Sequence, residues 1–90
     1  MEDYREEALI FKALSDENRL SILKMLVGGE KCACKLLEGT ALSQSGLSYH
    51  MKILSEAELV TSWPVGKWTH YALSRAGREK AESYLKGLEE

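Results

Sequence analysis

One proline in ninety residues, no low-complexity tract and no apolar run approaching the ~20 residues of a bilayer span argue against a disordered linker or a membrane helix. Cysteine is scarce too. Cys32 and Cys34 are the only two, too few for the disulfide framework of a small secreted domain. A glycine-rich phosphate loop, a Ser/His/Asp set and a supported carboxylate pair are all missing, so the chain does not read as an enzyme. The opening Met1-Glu2-Asp3-Tyr4-Arg5 is acidic and lacks the basic-then-apolar order of a secretory signal. A cytoplasmic location is expected, where thiols stay reduced.

Net charge is also small, -2 overall, but it is unevenly spread. Residues 1–17 hold six acids and two bases, residues 18–73 four acids and six bases, and the remainder is balanced. From Ser43 to Leu54 there is no acid, while His50 and Lys52 are present. The positive balance therefore falls on the centre of the chain, well short of a domain that electrostatics alone would mark as nucleic-acid binding. Residues 1–90 make one domain, and a chain this short buries only about 60% of its unfolded surface, so an oligomer is expected.

Apolar periodicity gives four helices, a hairpin and a final helix, a mostly α fold with the order α-α-α-α-β-β-α. Glu2 to Leu14 carries Tyr4, Ala8, Phe11 and Leu14 on one stripe, with Leu9, Ile10 and Ala13 beside it, more apolar surface than one small core needs. Ser15 or Asp16 can cap a second helix whose Leu20, Leu23 and Val27 recur at helical spacing before Gly28-Gly29. A short third helix, Cys32 to Glu38, buries Ala33, Leu36 and Leu37. After the Gly39-Thr40 turn, Ser43 caps a fourth helix reaching about Ala57.

Leu47, Met51 and Leu54 form the buried stripe of that fourth helix, and Ser45, Ser48, Tyr49 and Lys52 gather opposite. Short hydroxyls with an aromatic and a base suit phosphates and base edges, although a solvated face has a similar composition. The preceding helix and turn favour a helix-turn-helix with this as its recognition helix. Val60–Trp63 and Trp68–Leu73 read as strands around a type I turn with a glycine bulge at Pro64-Val65-Gly66. That hairpin is a wing, with Lys67 near its tip and Trp63 and Trp68 packing across strands. His50 and His70 read as packed, hydrogen-bonded histidines, and Ser74 caps a last helix with Ala76, Ala81, Tyr84, Leu85 and Leu88 on its apolar face.

Cys32 and Cys34 sit one residue apart at the start of the third helix. On an ideal helix, side chains two apart point about 200° away from one another, so both sulfurs reach one ion only if that turn opens. Lys31 and Lys35 flank the pair and favour the thiolate. Small apolar packing and a low-pKa redox pair are the alternatives.

Ala13-Leu14-Ser15-Asp16-Glu17-Asn18-Arg19-Leu20, the segment Leu42 to Leu54 and the wing Gly66-Lys67-Trp68-Thr69-His70-Tyr71 together resemble the ArsR/SmtB family of metal-sensing repressors with a winged helix-turn-helix fold. The resemblance implies a homodimer paired through its first and last helices, here Tyr4, Ala8, Phe11, Tyr84, Leu85 and Leu88. It also implies operator DNA as partner, met by Gln44, Ser45, Ser48, Tyr49, Lys52 and Lys67, and release when metal binds. Glu30-Lys31-Cys32-Ala33-Cys34-Lys35-Leu36 is similar to the cysteine box of arsenic-responsive members, with Lys35 where an acid is common and Leu37 and Ser55 where further cysteines occur. As(III) or Sb(III) is thus the implied inducer. Zn(II) and Cd(II) also accept thiolates but prefer four ligands, and a thiol-redox response or no metal response at all complete the alternatives.

Overall fold

Asp16 sets where the second helix starts, and through Arg19 it fixes much of the packing that follows. The computed structural model describes residues 2–89, so Met1 and Glu90, the ends of the domain expected over 1–90, lie outside the described residues. Helix α1 is Arg5–Leu14, starting later than the expected Glu2. The Asp3 carboxylate accepts the Arg5 backbone N–H at 3.0 Å and its guanidinium at 2.8 Å, which holds residues 2–4 outside the helix. Helix α2, Glu17–Met25, follows the Asp16 cap, whose carboxylate accepts the Arg19 backbone N–H at 3.1 Å.

The inward stripe of α2 differs from the expected Leu20, Leu23 and Val27. Arg19, Ile22 and Leu26 are buried, whereas Leu20 and Val27 are exposed and Leu23 is half-buried. Both sets have the same i, i+3, i+7 spacing one residue apart, so periodicity cannot choose between them. Arg19 chooses. Its Nε donates to the Ala13 carbonyl at 2.7 Å, at the end of α1 where helical partners run out, and its Nη2 to the Lys12 carbonyl at 3.3 Å, which also accepts the Ser15 N–H.

The expected third helix begins one residue late, because Cys32 is extended (φ -64, ψ 145) and caps α3, Ala33–Glu38. Lys31–Cys32 form a two-residue strand, β1, absent from the sequence reading. Helix α4, Gln44–Glu56, starts behind Ser43 as expected, the Ser43 hydroxyl accepting the Gly46 N–H at 3.0 Å. Leu47, Met51 and Leu54 are buried on it, joined by His50.

The hairpin is longer than expected. Strands β2 (Val60–Val65) and β3 (Trp68–Leu73) pair antiparallel up to Val65 opposite Trp68, so the loop is the two residues Gly66-Lys67 rather than the Pro64-Val65-Gly66 turn. Gly66 has φ 62, as a II′ turn requires at its first central position. Pro64 lies within β2 opposite Thr69, which is tolerated because the sheet order β1-β3-β2 leaves β2 on an edge. Cys32 pairs with His70 and Lys31 with Tyr71, so β3 is the central strand.

Helix α5, Arg75–Lys86, packs on α1, and Ala81 joins the core formed by Ile10, Ala13, Ile22, Leu26, Leu36, Leu47, Met51, Leu54, Ala57, Leu59 and Val60. No helix of the described residues is long and apolar enough to cross a membrane. Glu58 turns the chain out of α4 with φ 57, and its carbonyl accepts the Gly77 N–H at 2.8 Å. A Cβ on Gly77 would lie 2.7 Å from that same oxygen.

Helix propensity alone favours alanine over glycine by about 1 kcal/mol. The steric conflict is with backbone, which cannot rotate away, so Gly77→Ala is expected to lower the free energy of unfolding by ~1–3 kcal/mol in urea denaturation. A second expectation concerns pH. The Arg19 backbone N–H holds the Asp16 carboxyl below its ordinary value of 3.8. Its stabilisation is therefore present above that value and is lost as pH falls through the lower, folded-state one. Asp16→Ala should be less stable than the parent at neutral pH, with the deficit shrinking in acid. Asp16→Asn, which still caps, should retain most of the stability without that pH dependence.

Candidate nucleic-acid interface and cysteine site

Gln44, Ser45, Ser48, Tyr49 and Lys52 are all exposed on α4, Tyr49 at 62%. Lys67 is exposed in the β2–β3 loop. The structure divides five of these six residues between two clefts that flank the helix. A cleft of about 90 Å³ between α3, α4 and β3 brings Gln44 and Ser48 together with Lys67, Thr69 and Tyr71. Burial pushes the Tyr71 phenol above its ordinary value, so this cleft gains no negative charge from it near neutral pH. On the other side, Tyr49 and Lys52 share a cleft of about 340 Å³ with Lys12 of α1, Arg19 and Glu56. Ser45 stands near the helix start, 3.2 Å from the Ser43 hydroxyl. Hydroxyls, an amide, a phenol and two lysines, uncovered and carried on one helix and a loop, can serve as phosphate and base-edge contacts.

The back of the helix is held by one polar pair. Arg19 is 7% exposed and His50 8%, and an Arg19 guanidinium nitrogen lies 3.0 Å from His50 Nδ1. A guanidinium only donates, so Nδ1 accepts and the imidazole proton sits on Nε2. The expected packed histidine is therefore present, and its partner, Arg19, is the residue sequence reasoning missed. A signal existed: Arg19 falls at i, i+3 and i+7 with Ile22 and Leu26, the place of a core residue.

The cysteine site differs from its expected geometry. With Cys32 outside α3 as its cap, the two sulfurs do not point to opposite flanks. Cys32 Sγ accepts the Cys34 N–H at 3.1 Å, and the sulfurs are bonded to one another as a disulfide, with α3 intact from Ala33 onward. Unwinding of the helix is not needed to bring them together, and in place of the expected free thiols the structure has a bonded pair. Cys32 also lies in register with His70, whose Nδ1 is 2.7 Å from the Glu30 carboxylate. Among the described residues no group of three or more His, Cys, Asp or Glu side chains is close enough to hold a metal ion, so the pair supplies two sulfur donors and no third protein ligand.

The residues expected at a dimer face first form a layer within the chain. The Tyr84 ring meets Tyr4 and Phe11 edge-on, with centroids 5.9 and 5.7 Å apart. Ala8, Leu85 and Leu88 remain exposed beside them, the two leucines at 56% and 61%. An apolar groove of about 330 Å³, lined by Phe11, Leu14, Leu23, Val27, Leu73 and Leu85 among others, continues that surface.

Comparison with known proteins places this arrangement. The sequence profile of bacterial regulatory proteins of the arsR family matches residues 16–62. An arsenical resistance operon repressor from Staphylococcus aureus is 49% identical over 73 residues, 81% of this chain and 70% of that protein. A solved ArsR-like transcriptional regulator from Rhodococcus sp. RHA1 superposes with a TM-score of 0.84 at 32% identity, covering 94% of this chain and 78% of that one. HlyU from Vibrio cholerae superposes with a TM-score of 0.77 at 30% identity over 98% of both chains. The sequence match and the shared winged helix-turn-helix agree that the chain belongs to the arsR family, whose members are transcriptional regulators and not enzymes.

Proposed function

We propose that this chain is a homodimeric repressor that occupies operator DNA through α4 and the wing and leaves it when trivalent arsenic or antimony takes Cys32 and Cys34. The observation that carries the reading is the contact between the two sulfurs at the cap of α3, the helix leading into α4. The relatives named as arsenical resistance operon repressors support the same inducer class. Two adjacent thiolates suit arsenic, which is satisfied by two or three sulfurs, better than zinc or cadmium, which prefer four ligands. Reduction of the disulfide by a thiol comes first. Arsenous acid then exchanges two As–O bonds for two As–S bonds, and the two thiol protons leave with the displaced hydroxyls as water. Arsenic stays trivalent throughout.

In the same reading, Tyr4, Ala8, Phe11, Tyr84, Leu85 and Leu88 meet their copies in a second chain. The exposed leucines and the adjoining groove are the surface that such pairing would cover, and the small core gives it a thermodynamic reason. A twofold dimer presents its two α4 helices to half-sites about 10 bp apart or a multiple of that.

A DNA-release titration on the upstream region, with reduced protein and separate arsenite, antimonite, cadmium, zinc and peroxide arms, tests the proposal. Arsenite or antimonite should release the DNA, and Cys32→Ser and Cys34→Ser should each bind DNA normally yet ignore both. Release of the double serine variant by arsenite, or a wild type that answers only to zinc or peroxide, overturns the assignment. Lys52→Ala should weaken all sequences alike and reduce the slope of log affinity against log salt by about 1, the mark of a lost phosphate contact. Sedimentation should show a dimer at micromolar concentration, and Leu85→Glu with Leu88→Glu should give a folded monomer with weakened operator binding.

A further inference from the structure

We propose that Glu30 and His70 form a clamp that turns loading of the cysteine pair into movement of the wing. This inference rests on the reading of Cys32 and Cys34 as the inducer site. Residues directly opposed in an antiparallel pair share a face of the sheet. Trp63, His70 and Cys32 therefore make one row across β2, β3 and β1. Glu30, two residues before Cys32, falls on that face as well, and its carboxylate meets His70 Nδ1 at 2.7 Å. The Trp63 ring lies beside the imidazole from the other strand, with centroids 6.3 Å apart. His70 thus touches the residue preceding β1 and stands opposite the cysteine that ends it.

Strand β1 is only two residues long. A ladder that short is easily peeled, because few bonds hold it and it lies on an edge. After reduction the two thiols are free to separate, whereas two bonds to one arsenic atom fix their spacing, and Cys34 is anchored in α3 while Cys32 is attached to β3, so loading displaces Cys32. Without a second attachment, Cys32 would lift off β3 and the displacement would end there. The Glu30 carboxylate on His70 secures the leading end of β1, so Cys32 carries β3 with it. From His70 the strand runs through Thr69 and Trp68 to Lys67, the wing residue sharing a cleft with Gln44 and Ser48 of α4. Glu30 and His70 are positioning residues. They hold neither the inducer nor the DNA.

The test measures arsenite binding and operator affinity separately in reduced full-length protein. Binding is read from protection of the two thiols against alkylation, and operator affinity from fluorescence anisotropy with and without saturating arsenite. Glu30→Ala and His70→Val, the latter keeping a strand-forming side chain, should melt within a few degrees of wild type and bind free operator and arsenite as wild type does. In each, the arsenite-induced drop in operator affinity should shrink by about ten-fold. The double variant should be no worse than either single one, since both remove the same link. His70→Gln, whose amide can still donate to Glu30, should recover part of the response. Single variants that bind arsenite and lose operator affinity as fully as wild type overturn the clamp while leaving the inducer site standing. A wild type that protects neither thiol overturns the inducer site, and the clamp with it.

Discussion

One buried guanidinium organises the half of this domain that carries α4. Arg19 donates to two carbonyls at the end of α1, has its backbone N–H taken by Asp16 at the start of α2, and bonds to His50 in the back of α4. Three helices are thus fixed to one side chain. Taking a charged group out of water is costly, and the cost is tolerable here because its donors meet fixed acceptors and the Asp16 carboxylate lies 4.0 Å away. No buried side-chain nitrogen or oxygen among the described residues is left without a partner. A purely apolar contact between α2 and α4 would allow sliding and rotation, whereas the Arg19–His50 bond sets the angle at which Gln44, Ser48 and Lys52 leave the body of the protein.

The parts of the fold legible in the sequence were those written in local chemistry. Ser43 and Ser74 mark helix starts by their caps, Leu47, Met51 and Leu54 mark one face by spacing, and Gly66 marks the hairpin tip. What could not be read depends on contacts distant in sequence. The inward face of α2 was ambiguous because a basic residue at Arg19 reads as surface until His50, thirty-one residues later, is placed beside it. Strand β1 has two residues and no pattern of its own, and it exists only because β3 supplies a partner. The cysteine geometry then failed for the same reason, since pairing with β3 draws Cys32 out of the helix that its spacing implied.

The six residues expected at DNA were all found exposed, and their division was the new information. Gln44, Ser48 and Lys67 crowd the cleft toward the wing, while Tyr49 and Lys52 look toward Lys12 on α1. A periodicity argument sees one polar face, because it knows only angles around a helix axis. The tertiary structure splits that face by what stands on either side of it. The wing side adjoins the cysteine loop through β3, and the α1 side adjoins the apolar layer built on Tyr84, so the two clefts border different parts of the surface.

Cys32 occupies a helix cap, a position that favours serine, threonine, aspartate and asparagine. Its sulfur does the work of a helix cap, accepting the Cys34 N–H, and oxygen caps are the better ones. Replacement by serine, a single-base change in either cysteine codon, removes the link to Cys34 yet keeps a capping side chain at the start of α3. Under the proposed function, responsiveness is kept only by selection for the response. In lineages that no longer meet the inducer, drift at this codon would leave a stable, fully folded protein locked permanently on its operator.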